Sequence, residues 1–156
     1  MTGSVTRISR QIAAPRAEVY RALLDPEAVA EWKVPTGMRS EVHELDAREG
    51  GSLRVSLTYE DTDRAGKTTA HTDTYRGRFV KLVPDEQVVE ELEFESSQEA
   101  LQGTMRITIT LSDAGGGTEL VAVHEGVPAG VAPADNEAGW SISLAKLAAM
   151  LERPGD

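Results

Sequence analysis

The sequence has 156 residues, of which 40% are hydrophobic and only 4% aromatic, and 26 acidic against 16 basic side chains give a formal charge of −10. That length suits one domain with its own core. The charge repels nucleic-acid phosphates and anionic membrane surfaces, and the absence of cysteine excludes disulfides and thiol catalysis. Residues 1–10 contain no continuous apolar stretch, so neither a signal peptide nor a membrane span is expected, and the cytoplasm is the expected location.

In chain order, residues 5–12 alternate as a strand, with Ile8, Arg10 and Ile12 on one side. Ala14-Pro15 then opens a helix over 16–24, carried by Val19, Tyr20 and Leu23. Asp25 is placed to cap a second short helix, with Pro26 in its first turn and its end near Trp32; Pro35 and Gly37 close the pair. Strands are predicted at 39–45, 52–59, 72–83, 87–95, 104–112 and 118–125. Alternation is cleanest where Met105, Ile107, Ile109 and Leu111 face one way and Arg106, Thr108 and Thr110 the other. Turn residues separate the strands at Glu49-Gly50-Gly51, at 61–67, at Pro84-Asp85 and at 113–117, and links this short favour antiparallel neighbours.

The last element, a helix over 134–151, organises the rest. Trp140, Leu144, Leu147 and Leu151 recur on one stripe, Asn136 and Ser143 lie on or beside it, and Lys146 turns towards the other side. Such a helix is about 27 Å long and can cross several strands. An antiparallel sheet with one apolar face needs that cover, so the fold class is α+β, a curved antiparallel sheet wrapped around a long C-terminal helix, with two short helices after the first strand. One domain is expected over 1–156, with its core at about 5–152 and a frayed C-terminal tail from Arg153.

The order and punctuation resemble the START-like helix-grip (SRPBCC) superfamily, and within it the homologues of the C-terminal domain of the activator of heat-shock protein 90 ATPase. The resemblance runs from Ile8 to Leu151. It is carried by Ile12-Ala13-Ala14-Pro15, Val19-Tyr20-Arg21-Ala22-Leu23, Asp25-Pro26-Glu27, Trp32, Glu49-Gly50-Gly51, Gly77-Arg78, Leu82-Val83-Pro84, Gly116-Gly117-Thr118-Glu119-Leu120, His124-Glu125-Gly126 and Gly139-Trp140. It implies a hydrophobic or amphipathic ligand held between helix and sheet. It also implies two alternatives: a co-chaperone-like or stress-related module with a chaperone as partner, and an enzyme like the superfamily's cyclases and hydrolases. Separately, an exposed edge strand or Ile142 on the outer side of the last helix offers a surface for a homodimer partner. Many bacterial members carry no assigned role.

The residues expected to line such a cavity are Trp32, Tyr59, Tyr75, Phe94, Met105, His124, Asn136, Trp140 and Leu144, with His124 and Asn136 as polar anchors. His124 shares strand parity with Leu120 and Ala122, so it points either into a cavity or into a core where a neighbour satisfies it. No nucleophile or paired acid stands beside it, so no catalytic residue is assigned. No cofactor or metal is expected: His71 and Asp73 share a strand face but are two ligands only and read as a surface polar pair. Glu91, Glu93 and Glu95 form a solvated acidic face with Arg76, Arg78 or Arg106 as cross-strand partners, while Glu90 falls on the other side with Val88, Leu92 and Phe94 and needs a partner if buried. Gly115-Gly116-Gly117 is a hairpin turn, and 126–133 is either a lid or a plain connector.

Overall fold

The structure, a computed structural model, describes residues 4–34, 37–59, 72–96, 99–128 and 130–152. The expected turn at 61–67, His71, Pro35 and the tail at 153–156 lie outside the described residues. The elements are β1 (Ser4–Ile12), α1 (Arg16–Leu24), α2 (Pro26–Trp32), β2 (Met38–Leu45), β3 (Ser52–Tyr59), β4 (Thr72–Val83), β5 (Gln87–Phe94), a 3-10 turn (Glu99–Leu101), β6 (Met105–Ala114), β7 (Gly117–Val127) and α3 (Pro133–Leu151). The strands and α-helices come in the predicted order, and the 3-10 turn between β5 and β6 is additional to it.

The strands make one seven-stranded antiparallel sheet in the order β1-β7-β6-β5-β4-β3-β2. Register shifts at Ser4/Thr6, Val42/Glu44 and Phe79/Lys81 interrupt the ladders, and such bulges add local twist and bend to a sheet. The sheet curls into a half-barrel. Because β1 and β2 are its two edges and α1 and α2 join them in sequence, the helical pair bridges the open side. There α1 touches β6, β7 and α3, α2 touches β2 and α3, and α3 lies against β1.

Local chemistry explains the helical pair. Asp25 ends α1 and caps α2, its carboxylate accepting from Glu27 N at 3.3 Å, with Pro26 in the first turn of α2 as expected. The indole of Trp32 is buried and donates to the Ala22 carbonyl at 3.0 Å, which pins the end of α2 to α1.

The grip on α3 is central. Leu144, Leu147 and Ala148 are fully buried and Ser143 nearly so, whereas Trp140 and Leu151 at the ends of the expected stripe are half-buried. Lys146, expected on the opposite side, is half-buried too: its stem reaches round to donate to the Val34 carbonyl at 2.6 Å. The β6 alternation holds, with Met105, Ile107, Ile109 and Leu111 buried. The triple-glycine segment is the β6–β7 turn, with Gly115 and Gly116 at positive φ. The segment read as a lid or connector begins as strand, since β7 continues to Val127 and pairs with Ser4. Asp73, expected at the surface, is buried opposite Leu57 in β4; the curl of the sheet, invisible to strand periodicity, encloses that position.

Candidate functional site

The strand registers set the inner floor. His124 on β7 lies opposite Thr6 on β1 and Ile107 on β6, Ile107 lies opposite Glu90 on β5, and Glu90 opposite Phe79 on β4. Along the next inward positions Met105 faces Leu92, while Tyr75 pairs with Phe94 and Val55. Parity therefore puts an imidazole and a carboxylate into a surface made mainly of aliphatic and aromatic side chains. Over it pass the end of α2, with Trp32 and Lys33, and the first half of α3, with Asn136 and Trp140.

The rings meet in a chain. Trp140 lies 6.5 Å from Trp32, tilted by 60°, and 6.2 Å from the His124 ring, edge-on at 74°. The Lys33 ammonium stands 5.6 Å from the ring centres of both Tyr75 and Trp140, within reach of cation–π attraction. It also contacts the Glu90 carboxylate at 3.1 Å, with side-chain exposures of 11% and 5%. This is the partner that a buried Glu90 requires.

The Asn136 amide nitrogen makes two contacts, 3.2 Å to the Thr6 hydroxyl and 3.0 Å to His124 Nδ1. An amide nitrogen only donates, so Nδ1 accepts and the ring proton resides on Nε2. That Nε2 is buried without a partner, and so is the Tyr75 hydroxyl. Burial, helped by the Lys33 charge, lowers the His124 pKa to about 4, so the ring is neutral at pH 7. Burial raises the Tyr75 phenol and Glu90 adds to it, outweighing the pull of Lys33, so the phenol keeps its proton. For Lys33 burial acts downward, but the Glu90 charge and hydrogen bond prevail and hold the ammonium above the usual lysine range.

Of the predicted lining residues, Trp32, Tyr75, Met105, His124 and Leu144 are buried and Phe94, Asn136 and Trp140 half-buried, and all eight belong to the helix–sheet interior or its rim. Tyr59 stands apart: it ends β3 opposite Met38, four residues beyond the Val55 that pairs with Tyr75, or about 13 Å along the strand. Phe94 also borders a surface concavity of about 460 Å³ with Arg76, Glu95 and Gln102, and another of about 360 Å³ lies outside α1 between Tyr20, Leu24 and Asp85. Sequence reasoning did not assign Lys33 or Thr6 to the site. A lysine one residue past a helix end reads as a surface C-terminal cation; the available signal was Glu90, an acid on the apolar parity that called for one.

On the outer face, Glu91 meets both Arg78 (3.3 Å) and Arg106 (2.7 Å), Glu93 meets Arg76 (3.1 Å), and Glu95 meets Arg54 (2.7 Å). The acidic strand is thus covered by arginines of β3, β4 and β6, including the predicted three.

Curled sheet, gripped helix and polar-centred interior define a START-like helix-grip protein. The sequence profile described as "Activator of Hsp90 ATPase homolog 1-like protein" matches residues 13–152, and the chain belongs to that family. A crystal structure of a Chromobacterium violaceum protein is similar at 35% identity and a TM-score of 0.86, covering 96% of this chain and 98% of that one. At fold level the chain also resembles a Rhodobacter sphaeroides protein (18% identity, TM-score 0.79, all of both chains). A solution structure from Arthrobacter aurescens is similar at 15% identity and a TM-score of 0.80, covering 97% of this chain and 88% of that one. No curated protein matches the sequence. Among the described residues, no helix is long and apolar enough to cross a membrane.

Proposed function

We propose that the chain binds a small hydrophobic or amphipathic molecule between α3 and the sheet, with Trp32, Tyr75, Met105, His124, Asn136, Trp140 and Leu144 around it. The observation that carries this reading is the pair of orphaned polar atoms, His124 Nε2 and Tyr75 Oη, both buried in that interior. A buried donor without an acceptor costs about 1–3 kcal/mol, so a fold that keeps two near one ion pair gains when something else supplies the acceptors. Family membership supports ligand binding as a general role, and tryptophans flanking the polar groups supply apolar walls.

Entry requires movement of the first half of α3. There Pro133, Ala134, Asp135, Glu137 and Ala138 are exposed, and Asn136 and Trp140 provide the contacts to the sheet and α2. The co-chaperone-like alternative would place function on the acidic strand, but Glu91, Glu93 and Glu95 already carry arginines, which favours the interior.

Binding to the folded state stabilises it by about 2.7 kcal/mol at a hundredfold excess over Kd. For a domain of this size that is a rise of roughly 5–10 °C in melting temperature. A panel of lipids and aromatic compounds screened by thermal shift, with native mass spectrometry for retained molecules, tests the reading. A panel without stabilisers, together with a mass equal to that of the bare chain, overturns it.

A further inference from the structure

The outer face of β2 and β3, away from the gripped helix, carries a second polar constellation. Glu41 on β2 lies directly opposite Ser56 on β3, and the register shift between Val42 and Glu44 leaves His43 as an extra residue of β2, the kind of bulge that re-aims a side chain. His43 joins the other two. Its Nδ1 stands 3.3 Å from a Glu41 carboxylate oxygen and its Nε2 2.8 Å from Ser56 Oγ. A carboxylate only accepts, so it draws the ring proton of the neutral imidazole to Nδ1; Nε2 then accepts, and the Ser56 hydroxyl donates to it. The Thr74 hydroxyl, 2.8 Å from Ser56 Oγ, holds that oxygen from β4.

Carboxylate, imidazole and hydroxyl in this order are the parts of an activated nucleophile. A network that only ties strands together would serve as well if enclosed, but Glu41 and His43 are exposed and Ser56 is half-buried, so an electrophile reaches Oγ from solvent. Of the cations on this face, Arg54 is engaged by Glu95, whereas exposed Arg39 has no ion-pair partner among the described residues. Arg39 is opposite Thr58 and thus one diagonal step from Ser56, about 7–8 Å, which so long a side chain spans. It is placed to stabilise negative charge on an acyl oxygen.

We propose that Ser56 is a nucleophile that accepts acyl groups from activated carboxylic esters, with His43 as its general base and Glu41 as the residue that positions His43. Ser56 Oγ bonds to the carbonyl carbon, its proton passes to His43 Nε2, and the ester's C–O bond breaks as the alkoxide or phenolate leaves with the electron pair; His43 then releases the proton to water. The step is independent of ligand binding in the interior.

The test is 4-nitrophenyl acetate added to the full chain at neutral pH, with acetylated residues mapped by peptide mass spectrometry. Ser56 is expected to acquire the acetyl group about a hundredfold faster than it does in His43→Phe, the lower end of what a positioned general base supplies. Glu41→Gln offers Nδ1 a donor as well as an acceptor, so part of the ring proton is expected to move to Nε2, visible in proton–nitrogen correlation spectra of the imidazole, and Ser56 acetylation to fall with it. Acetyl groups on lysines with Ser56 bare overturn the proposal on the wild-type chain alone, whatever the variants do to folding. Equal rates of Ser56 acetylation in wild type and His43→Phe overturn it too, and an unchanged tautomer and rate in Glu41→Gln overturn the role of Glu41.

Discussion

The Lys33 ammonium and the Glu90 carboxylate meet at 3.1 Å inside the molecule and tie the end of α2 to the middle of β5. Removing one member of such a pair strands the other charge, so Lys33→Met is expected to cost about 3–5 kcal/mol. The double variant Lys33→Met/Glu90→Leu is expected to regain most of that, because two apolar side chains replace two desolvated ions. Urea midpoints at constant slope measure both. Additive losses in the double variant would show that the pair is not coupled.

His124 gives the fold a pH dependence. In the unfolded chain its imidazole takes a proton near pH 6.5, but in the folded chain not until about pH 4. Between those values the unfolded state binds more protons, so stability falls as pH drops from 6.5 to about 4, by about 3 kcal/mol in all, and no further from this group below that. Glu91 and Glu95, held below the ordinary carboxylate range first by their hydrogen bonds to Arg106 and Arg54, keep their charge through much of that interval. Comparing unfolding free energies of wild type and His124→Phe across pH 4–7 isolates the histidine: the wild-type curve should be steeper, and parallel curves refute the assignment.

The two halves of α3 are held differently. Ser143, Leu144, Leu147 and Ala148 are buried, whereas before Trp140 the half-buried Asn136 supplies the side-chain tie to the sheet through Thr6 and His124. Local opening follows such differences in buried contact. Amide hydrogens of 137–141 should exchange faster than those of 147–150, and Asn136→Ala should widen the gap. A saturating ligand should close it.

Gly77 lies at the centre of β4 between Leu53 and Leu92, and a Cβ there would run into the Glu91 carbonyl and the neighbouring Cα of Leu92. Both obstacles are backbone and cannot rotate away. Gly77→Ala should therefore either fail to fold or unfold several degrees earlier, as clashes in close-packed interiors cost about 1–3 kcal/mol. An unchanged melting curve would mean that β4 and β5 separate freely at this point.

Much of this was legible in the sequence because it is written at short range. Proline at 15 and 26, the Asp25 cap and the alternation of Met105 through Leu111 fixed elements whose spans match closely. Strand parity put His124 and Glu90 inside and the other glutamates outside. What parity cannot convey is which remote element comes to lie above a given position. Lys33 is buried because α3, more than a hundred residues later, passes over it; Asp73 because the sheet curls round it. Tyr59 shares the inward parity of Val55 but lies about 13 Å further along β3, a separation that parity does not report.

The row that joins Thr6, His124, Ile107, Glu90 and Phe79 also governs alignment. Were β5 to slide by one residue, Glu91 would turn inward away from Arg78 and Arg106, and Glu90 would leave Lys33 without its anion. A one-residue slip of this strand therefore strands charge on both sides at once, so the interior ion pair and its outer counterparts penalise that frame beyond what apolar packing alone would.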